Sequence, residues 1–460
     1  MAIEGVANGA NAHSERTRAL VIGPYLNERA SRASQRSSPG PQGKRSQEAR
    51  FAEANGLADA IDLDIVAGII VNLAAVRPAT YLGKGKVEEI ADLISANEIQ
   101  LVFMDCALTP GQQRNLEKAF SVKVIDRTGL ILEIFGRRAR TREGALQVEL
   151  AHLAYQKARL VRSWTHLERQ RGGFGFLGGP GETQIESDRR LLQERMTKIE
   201  LELEGVKRMR GLHRKSRSAV PYPIVALVGY TNAGKSTLFN RLTQADVLAE
   251  DMLFATLDPT LRKVSLAHGG EIILSDTVGF ISDLPTTLVS AFRATLEEVL
   301  EADVILHVRD IAHEDAEAQL ADVETILNDL GVDPANDNRL VEVWNKADLL
   351  GEEALAEAQN SAKRRATNAK PIIVSALTGQ GCDELRTMIE ARLAVGRITF
   401  DIALKPEDGQ GLHWLYENTE VMRKGAAADG SLHMRVRVAP ERVEPLRRKF
   451  FTPASDPAAE

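Results

Sequence analysis

The sequence predicts an α/β protein whose largest domain is a doubly wound, mainly parallel sheet. A small α/β domain and a long helical hairpin precede it, and a small α+β domain follows. Short apolar runs at Ile224 to Val228, Glu271 to Leu274, Val304 to Val308, Leu340 to Trp344 and Ile372 to Val374 are spaced by helix-compatible segments, as in sheets covered on both faces. The stretch RGGFGFLGGPGE, Arg171 to Glu182, is expected to be non-helical and to interrupt two long charged helical stretches. Upstream, strand-like and helix-like segments alternate between Ala52 and Phe120.

Taken in order, residues 1–50 are rich in Ala, Ser, Asn, Gly, Arg and Gln. Their one apolar patch, Leu20 to Ile22, is expected to be too small to bury, so this extension is read as partly disordered. The α/β domain, 51–135, takes its strands from Leu63 to Leu73 and Gln100 to Met104 and its helices from Val87 to Asn97 and Pro110 to Phe120. The hairpin, 136–220, joins a helix over Gly144 to Glu168 to a charged helix over Thr183 to Gly211, with the glycine-rich stretch as its tip. Pro221 and Pro223 open the domain at 221–396. The α+β domain, 397–452, reads as strand Thr399 to Leu404, helix Gly411 to Arg423, strand Ser431 to Val438 and helix Pro440 to Phe450, and 453–460 is a tail.

Composition narrows the classes. The 460 residues are 43% hydrophobic and 27% charged, enough for several packed domains. A net charge of -6 does not advertise nucleic-acid binding, so any basic surface is local. Cys106 and Cys382, with no CxxC and no metal-ligand spacing, exclude a disulfide scaffold and a structural zinc site and point to a reducing compartment. No apolar run reaches the ~18 to 20 residues of a membrane span. The expectation is a soluble, cytoplasmic protein, with peripheral membrane attachment left open.

Gly229-Tyr230-Thr231-Asn232-Ala233-Gly234-Lys235-Ser236 follows an apolar strand and leads through Thr237 into a helix, the setting a phosphate loop requires. Its glycines let backbone N–H groups wrap phosphates at a helix N-terminus. Lys235 then reaches the β and γ phosphates, and the Ser236 hydroxyl serves Mg2+. Asp276-Thr277-Val278-Gly279 ends the next strand, where the carboxylate serves the Mg2+ shell through water and the Gly279 N–H senses a γ-phosphate. Asn345-Lys346-Ala347-Asp348 follows a further strand. Its Asp carboxylate can accept from guanine N1–H and the 2-amino group together, a donor pair that adenine lacks. Ser375-Ala376-Leu377 can add a backbone donor to guanine O6.

In this order the motifs resemble the translation-factor-related class of P-loop GTPases, over roughly Pro223 to Leu393. The resemblance implies GTP as substrate, GDP as product and Mg2+ as cofactor. It makes Phe254-Ala255-Thr256-Leu257-Asp258 the first switch, with Thr256 on Mg2+ and the γ-phosphate, so Lys235, Thr256 and Gly279 are the candidate catalytic groups. Phe280 stands where Ras-like proteins carry the glutamine that orients the attacking water, and Phe can neither donate nor accept that bond. Slow intrinsic hydrolysis is expected, with water positioned by backbone groups, an ion or a partner.

RGGFGFLGGPGETQIESDRR before this domain, TYLGKGKVEEI upstream and DTVGFI within it resemble the HflX family of ribosome-associated GTPases, extending the likeness over about Leu63 to Leu393. The resemblance implies contact with the large ribosomal subunit through the hairpin and its tip, in ribosome splitting, rescue, recycling or assembly, and a monomer is expected. The family's usual tip, GGGIGxRGPGET, is altered here at Phe174, Phe176, Leu177 and Gly178, which removes an arginine. The residues support RNA contact independently: Ala151 to Val220 holds 15 Lys or Arg against 8 Asp or Glu. Gly83-Lys84-Gly85-Lys86 lacks phosphate-loop spacing and reads as a basic turn on RNA or a helix start. A GTP-dependent regulator or chaperone acting on a protein or membrane partner without RNA contact is the competing reading.

Overall fold

A computed structural model describes residues 16–27, 45–168, 180–217, 222–244, 252–266, 270–283, 293–365, 370–395, 398–405, 407–426, 431–438 and 440–451. They fall into two compact units. The first is built on β1 (Arg18–Leu26), β2 (Asp64–Leu73), β3 (Leu101–Met104) and β4 (Lys123–Asp126), a parallel sheet in the order β2-β1-β3-β4. The patch at Leu20 to Ile22, expected to stay unburied, is instead the middle of β1, and Ala19 through Ile22 are wholly buried. A parallel strand draws its partners from distant segments, here Asp64–Leu73 and Leu101–Met104, so the composition around it does not report its burial.

Helices cover this sheet. α1 (Gln47–Asp59) begins where the Ser46 hydroxyl accepts the Ala49 N–H at 3.0 Å, and α3 (Pro110–Phe120) begins on a capping box of Thr109 and Gln112. Ile90 and Ile94 of α2 (Lys84–Ala96) join Leu116 and Phe120 of α3 against Leu20, Ile22, Val102 and Met104. Gly83 is the N-cap of α2 and Lys86 pairs with Glu89 at 2.6 Å, which is the helix-start reading of the GKGK turn. At the carboxyl ends of β1 and β3, Arg127 of α4 (Arg127–Arg138) bridges the carboxylates of Asp105 and Glu53, and the Tyr25 hydroxyl donates to Asp105 at 2.7 Å. Arg127 and Asp105 are both buried, so this is a desolvated ion network. Burial and the Asp105 charge push the Tyr25 phenol above its usual range.

The hairpin helices are α5 (Arg142–Glu168) and α6 (Pro180–Arg217). At its root Leu146 packs on Ile199 and Leu203, and Arg195 pairs with Glu149 at 2.7 Å. Of the glycine-rich stretch expected at Arg171 to Glu182, residues 171–179, with Phe174, Phe176, Leu177 and Gly178, lie outside the described residues; Pro180 to Glu182, expected to be non-helical, instead open α6, where a proline at the first helical position is tolerated.

The second unit contains a six-stranded sheet among the described residues: β5 (Ile224–Gly229), β6 (Thr260–Ser265), β7 (Glu271–Asp276), β8 (Val304–Asp310), β9 (Leu340–Asn345) and β10 (Ile372–Ile373), in the order β10-β9-β8-β5-β7-β6. All pairs are parallel except the edge pair of β6 with β7. Strand order reverses beside β5, so the loop after it opens into the crevice where such sheets bind ligands. Leu238, Phe239 and Leu242 of α7 (Lys235–Thr243) and Leu385, Ile389 and Leu393 of α11 (Cys382–Ala394) belong to its core. Between α7 and α11 in the chain lie α8 (Arg293–Leu300), α9 (Ala316–Asp329) and α10 (Glu352–Arg364).

At the carboxyl terminus β11 (Ile398–Leu404), β12 (Glu420–Ala426) and β13 (Leu432–Val438) form an antiparallel sheet with α12 (Gly409–Asn418) and α13 (Pro440–Phe450). The helix expected over Gly411 to Arg423 ends at Asn418. Thr419 is extended, and Glu420 onward pairs with β13, a partner the local pattern does not contain.

Candidate functional site

The phosphate loop runs from the end of β5 into α7. Gly234 sits at φ 87° as the N-cap of α7, and a Cβ there would lie 2.3 Å from Asn345 Nδ2, so both backbone and space demand glycine. Gly279 is constrained from the other side: a Cβ would come within 2.9 Å of Lys235 Nζ and Thr231 Cα. Thr231, Asn232, Lys235, Ser236, Thr256 and Gly279 line one cleft, together with Gly234, Thr237, Phe254, Ala255 and Thr277. Met252 also lines it, which no sequence motif signals.

Lys235 is buried, and its Nζ donates to the carbonyls of Tyr230 at 2.8 Å and Gly229 at 3.2 Å. Burial lowers its pKa from 10.5 to about 8, against the opposing pull of Asp276. A cation held this way gains most from an anion entering the cleft. Opposite it, Ser236 Oγ donates to Asp276 Oδ2 at 2.7 Å and Thr256 Oγ1 donates to the same oxygen at 2.9 Å. The two hydroxyl oxygens are themselves 2.9 Å apart. Asp276 Oδ1 is buried without a partner, and burial pushes this carboxyl up from the usual carboxylate range. Three converging hard oxygens beside an unsatisfied carboxylate oxygen fit a small divalent cation such as Mg2+. Thr256, identified only by family pattern, is thus brought beside Ser236 from 20 residues away.

The second cluster joins the remaining motifs. Ser375 Oγ donates to Asp348 Oδ1 at 2.5 Å, next to the turn Ala347–Leu349. Asn345 ties two loops together: its Nδ2 donates to the Ala233 carbonyl at 2.9 Å, and its Oδ1 accepts the Ala376 N–H at 3.0 Å. Lys346 pairs with Asp310 at 2.9 Å. Arg241 of α7 holds the same loop through the carbonyls of Ala376, at 3.1 Å, and Leu377. It belongs to no motif.

Other expected residues serve the site from behind or turn away from it. Tyr230, Ala233, Leu257 and Val278 are buried, and the Tyr230 hydroxyl accepts the Ser282 N–H at 2.8 Å. Gly229 is the last residue of β5 and accepts the Phe280 N–H at 3.1 Å, while the Phe280 carbonyl accepts from Thr231 at 2.7 Å. The Phe280 ring is 1% exposed and has no place among the cleft residues, in keeping with a group that does not handle water. Asp258, expected among the nucleotide-binding residues, does not line the cleft: its carboxylate accepts the N–H groups of Arg140 and Thr141 at the start of α5. An Asp beside a helix start caps the nearest unsatisfied amides.

Known families match nearly end to end. Residues 48–136 match a GTP-binding GTPase N-terminal domain, 138–217 a GTP-binding GTPase middle region, 224–346 a 50S ribosome-binding GTPase domain and 360–458 an HflX C-terminal domain. A curated GTPase HflX of Magnetococcus marinus is 52% identical over 78% of this chain and 81% of its own. The chain belongs to the HflX family of GTPases. The GTPase HflX of Escherichia coli is 46% identical over 79% of this chain and 84% of its own. A GTP-binding protein of Sulfolobus solfataricus, solved in complex with GDP, is 22% identical over 83% of this chain and 99% of its own, with a TM-score of 0.44, too loose a likeness to carry a residue assignment. The chain therefore binds and hydrolyses GTP. No helix among the described residues is long and apolar enough to cross a membrane.

Proposed function

We propose that this GTPase acts on the large ribosomal subunit, gripping rRNA through the basic hairpin while the switches read the γ-phosphate, and that it works in the cytoplasm as a monomer in ribosome splitting, rescue or recycling. The observation that carries this reading is charge segregation: a chain of net charge -6 concentrates 15 Lys or Arg against 8 Asp or Glu between Ala151 and Val220. A phosphate-rich partner fits such an arm. The match of 224–346 to a domain described as a 50S ribosome-binding GTPase supports the same partner.

In the reaction Lys235 holds the β and γ phosphates as an ammonium, and the phosphate-loop amides wrap them. Ser236 and Thr256 would hold Mg2+, with Asp276 acting through water; the bound ion neutralises charge that develops on the phosphates. The Gly279 N–H meets the γ-phosphate. Asp348 reads the guanine edge. The loop Ser375-Ala376-Leu377, which Asn345 ties to the phosphate loop, would offer a backbone donor to guanine O6. With Phe280 buried, the attacking water is oriented by backbone groups or by the ribosomal partner.

A second reading has an observation of its own. Leu191, Leu201 and Met209 are exposed on α6, as on an arm that docks a protein. Cosedimentation with purified large subunits, loaded with a non-hydrolysable GTP analogue or with GDP, separates the two. Analogue-dependent, salt-sensitive pelleting supports the ribosome; pelleting with neither nucleotide removes it.

A further inference from the structure

The first switch is fastened on both sides of Thr256 to the short segment that opens the hairpin. Downstream, Asp258 Oδ2 accepts the N–H of Arg140 at 2.8 Å and of Thr141 at 2.9 Å, and Asp258 Oδ1 accepts the Thr141 hydroxyl at 2.5 Å. Upstream, Arg138 Nη2 lies 3.7 Å from Sδ of Met252, which lines the nucleotide cleft. The Thr141 hydroxyl also accepts the Gly144 N–H at 3.0 Å, so the residue Asp258 grips is the N-cap of α5. Space for that carboxylate is reserved in the helix itself: a Cβ on Gly144 would lie 2.4 Å from Asp258 Oδ1. Only Leu257 separates this joint from Thr256, whose hydroxyl meets Ser236 and Asp276.

We infer that Asp258 is a positioning residue for GTP hydrolysis, which fastens the γ-phosphate-reading Thr256 to the N-cap of the hairpin helix. Placement of Thr256 and placement of the hairpin root then belong to one equilibrium. Whatever favours the docked switch favours the docked root, and by linkage the reverse holds by the same factor. For stimulation by the ribosome the inference rests on the arm being the subunit-binding element; for the isolated enzyme it does not.

The test uses the full chain carrying Asp258→Ala, Asp258→Asn, Thr141→Val or Thr141→Ser, with kcat, affinity for GDP and for a non-hydrolysable GTP analogue, and stimulation by large subunits as readouts. Asp258→Ala is expected to lower kcat and analogue affinity on the order of tenfold while GDP affinity stays within about twofold, because only the γ-phosphate state uses Thr256. Asp258→Asn keeps an oxygen for the two amides and recovers most of the rate. Thr141→Val moves the same quantities in the same direction by less, adds nothing to Asp258→Ala, and Thr141→Ser is silent. Stimulation by large subunits falls with kcat in Asp258→Ala. An Asp258→Ala protein with wild-type kcat and analogue affinity, or one that loses GDP and analogue equally, overturns the inference. If subunits fail to stimulate even the wild-type chain, the ribosome reading falls, and the GDP-against-analogue split still decides the role of Asp258.

Discussion

Replacing Asp348 by Asn exchanges one carboxylate oxygen for an amide donor at the turn Ala347–Leu349, where Asp348 is exposed. Ser375 Oγ donates to Oδ1 of Asp348 at 2.5 Å. If the new side chain keeps its oxygen on Ser375, its NH2 faces the donor edge of guanine, donor against donor. If it turns over, the serine bond is lost instead. At least one charge-assisted hydrogen bond disappears, which corresponds to roughly 1.5 to 3 kcal/mol, or about tenfold to 150-fold in GTP affinity. Xanthine carries a 2-oxo acceptor in place of the 2-amino group and should regain binding. Competitive displacement of a fluorescent GDP analogue by GTP and by xanthosine triphosphate measures the exchange. A GTP-to-XTP preference equal to that of the parent protein would refute the assignment of Asp348 to the base.

Three further outcomes follow from the same geometry. Burial lowers the Lys235 pKa to about 8, and bound phosphates favour its ammonium form; as pH rises through that value the free protein loses a proton that the complex keeps. GDP affinity should therefore fall toward tenfold per pH unit above about pH 8, with proton uptake seen by calorimetry in buffers of different ionisation enthalpy; an affinity flat from about pH 7 to 9.5 contradicts it. Ser236→Ala should weaken GDP and GTP alike in the presence of Mg2+, by about tenfold, whereas Thr256→Ala should spare GDP to within about twofold; equal damage to GDP removes Thr256 from the switch role. Arg127→Met should strip the buried Asp105 and Glu53 of their shared cation and cost about 3 to 5 kcal/mol. Urea unfolding followed through hydrogen exchange of the β1 amides reads this, and a loss below about 1 kcal/mol contradicts the network's role.

What the sequence could reveal depends on how far apart the interacting residues lie. The phosphate loop is legible because its residues, Gly229 to Ser236, are contiguous, and the NKAD motif is legible because Asp348 lies three residues after Asn345, which ties the loops. β1 was not legible, since the burial of Leu20 and Ile22 is set by Asp64–Leu73 and Leu101–Met104. β6 has no sequence signature for another reason: at a sheet edge, Arg262 and Lys263 face solvent and leave no apolar run. β12 looked helical because Glu420 to Arg423 continue the pattern of α12, and only pairing with β13 makes them extended. Within the site, Arg241 meets Leu377 across 136 positions and Asp258 meets Thr141 across 117, so neither contact has a local signature.

If large subunits complete a nucleotide site that Phe280 leaves without a water-orienting side chain, hydrolysis depends on them. Steady-state GTP hydrolysis by the full chain, with and without purified large subunits over a series of salt concentrations, tests it most directly. Turnover should be slow alone and faster with large subunits, and the stimulation should decline as salt weakens the grip of the hairpin on phosphate. Equal rates with and without subunits at every salt concentration would contradict it.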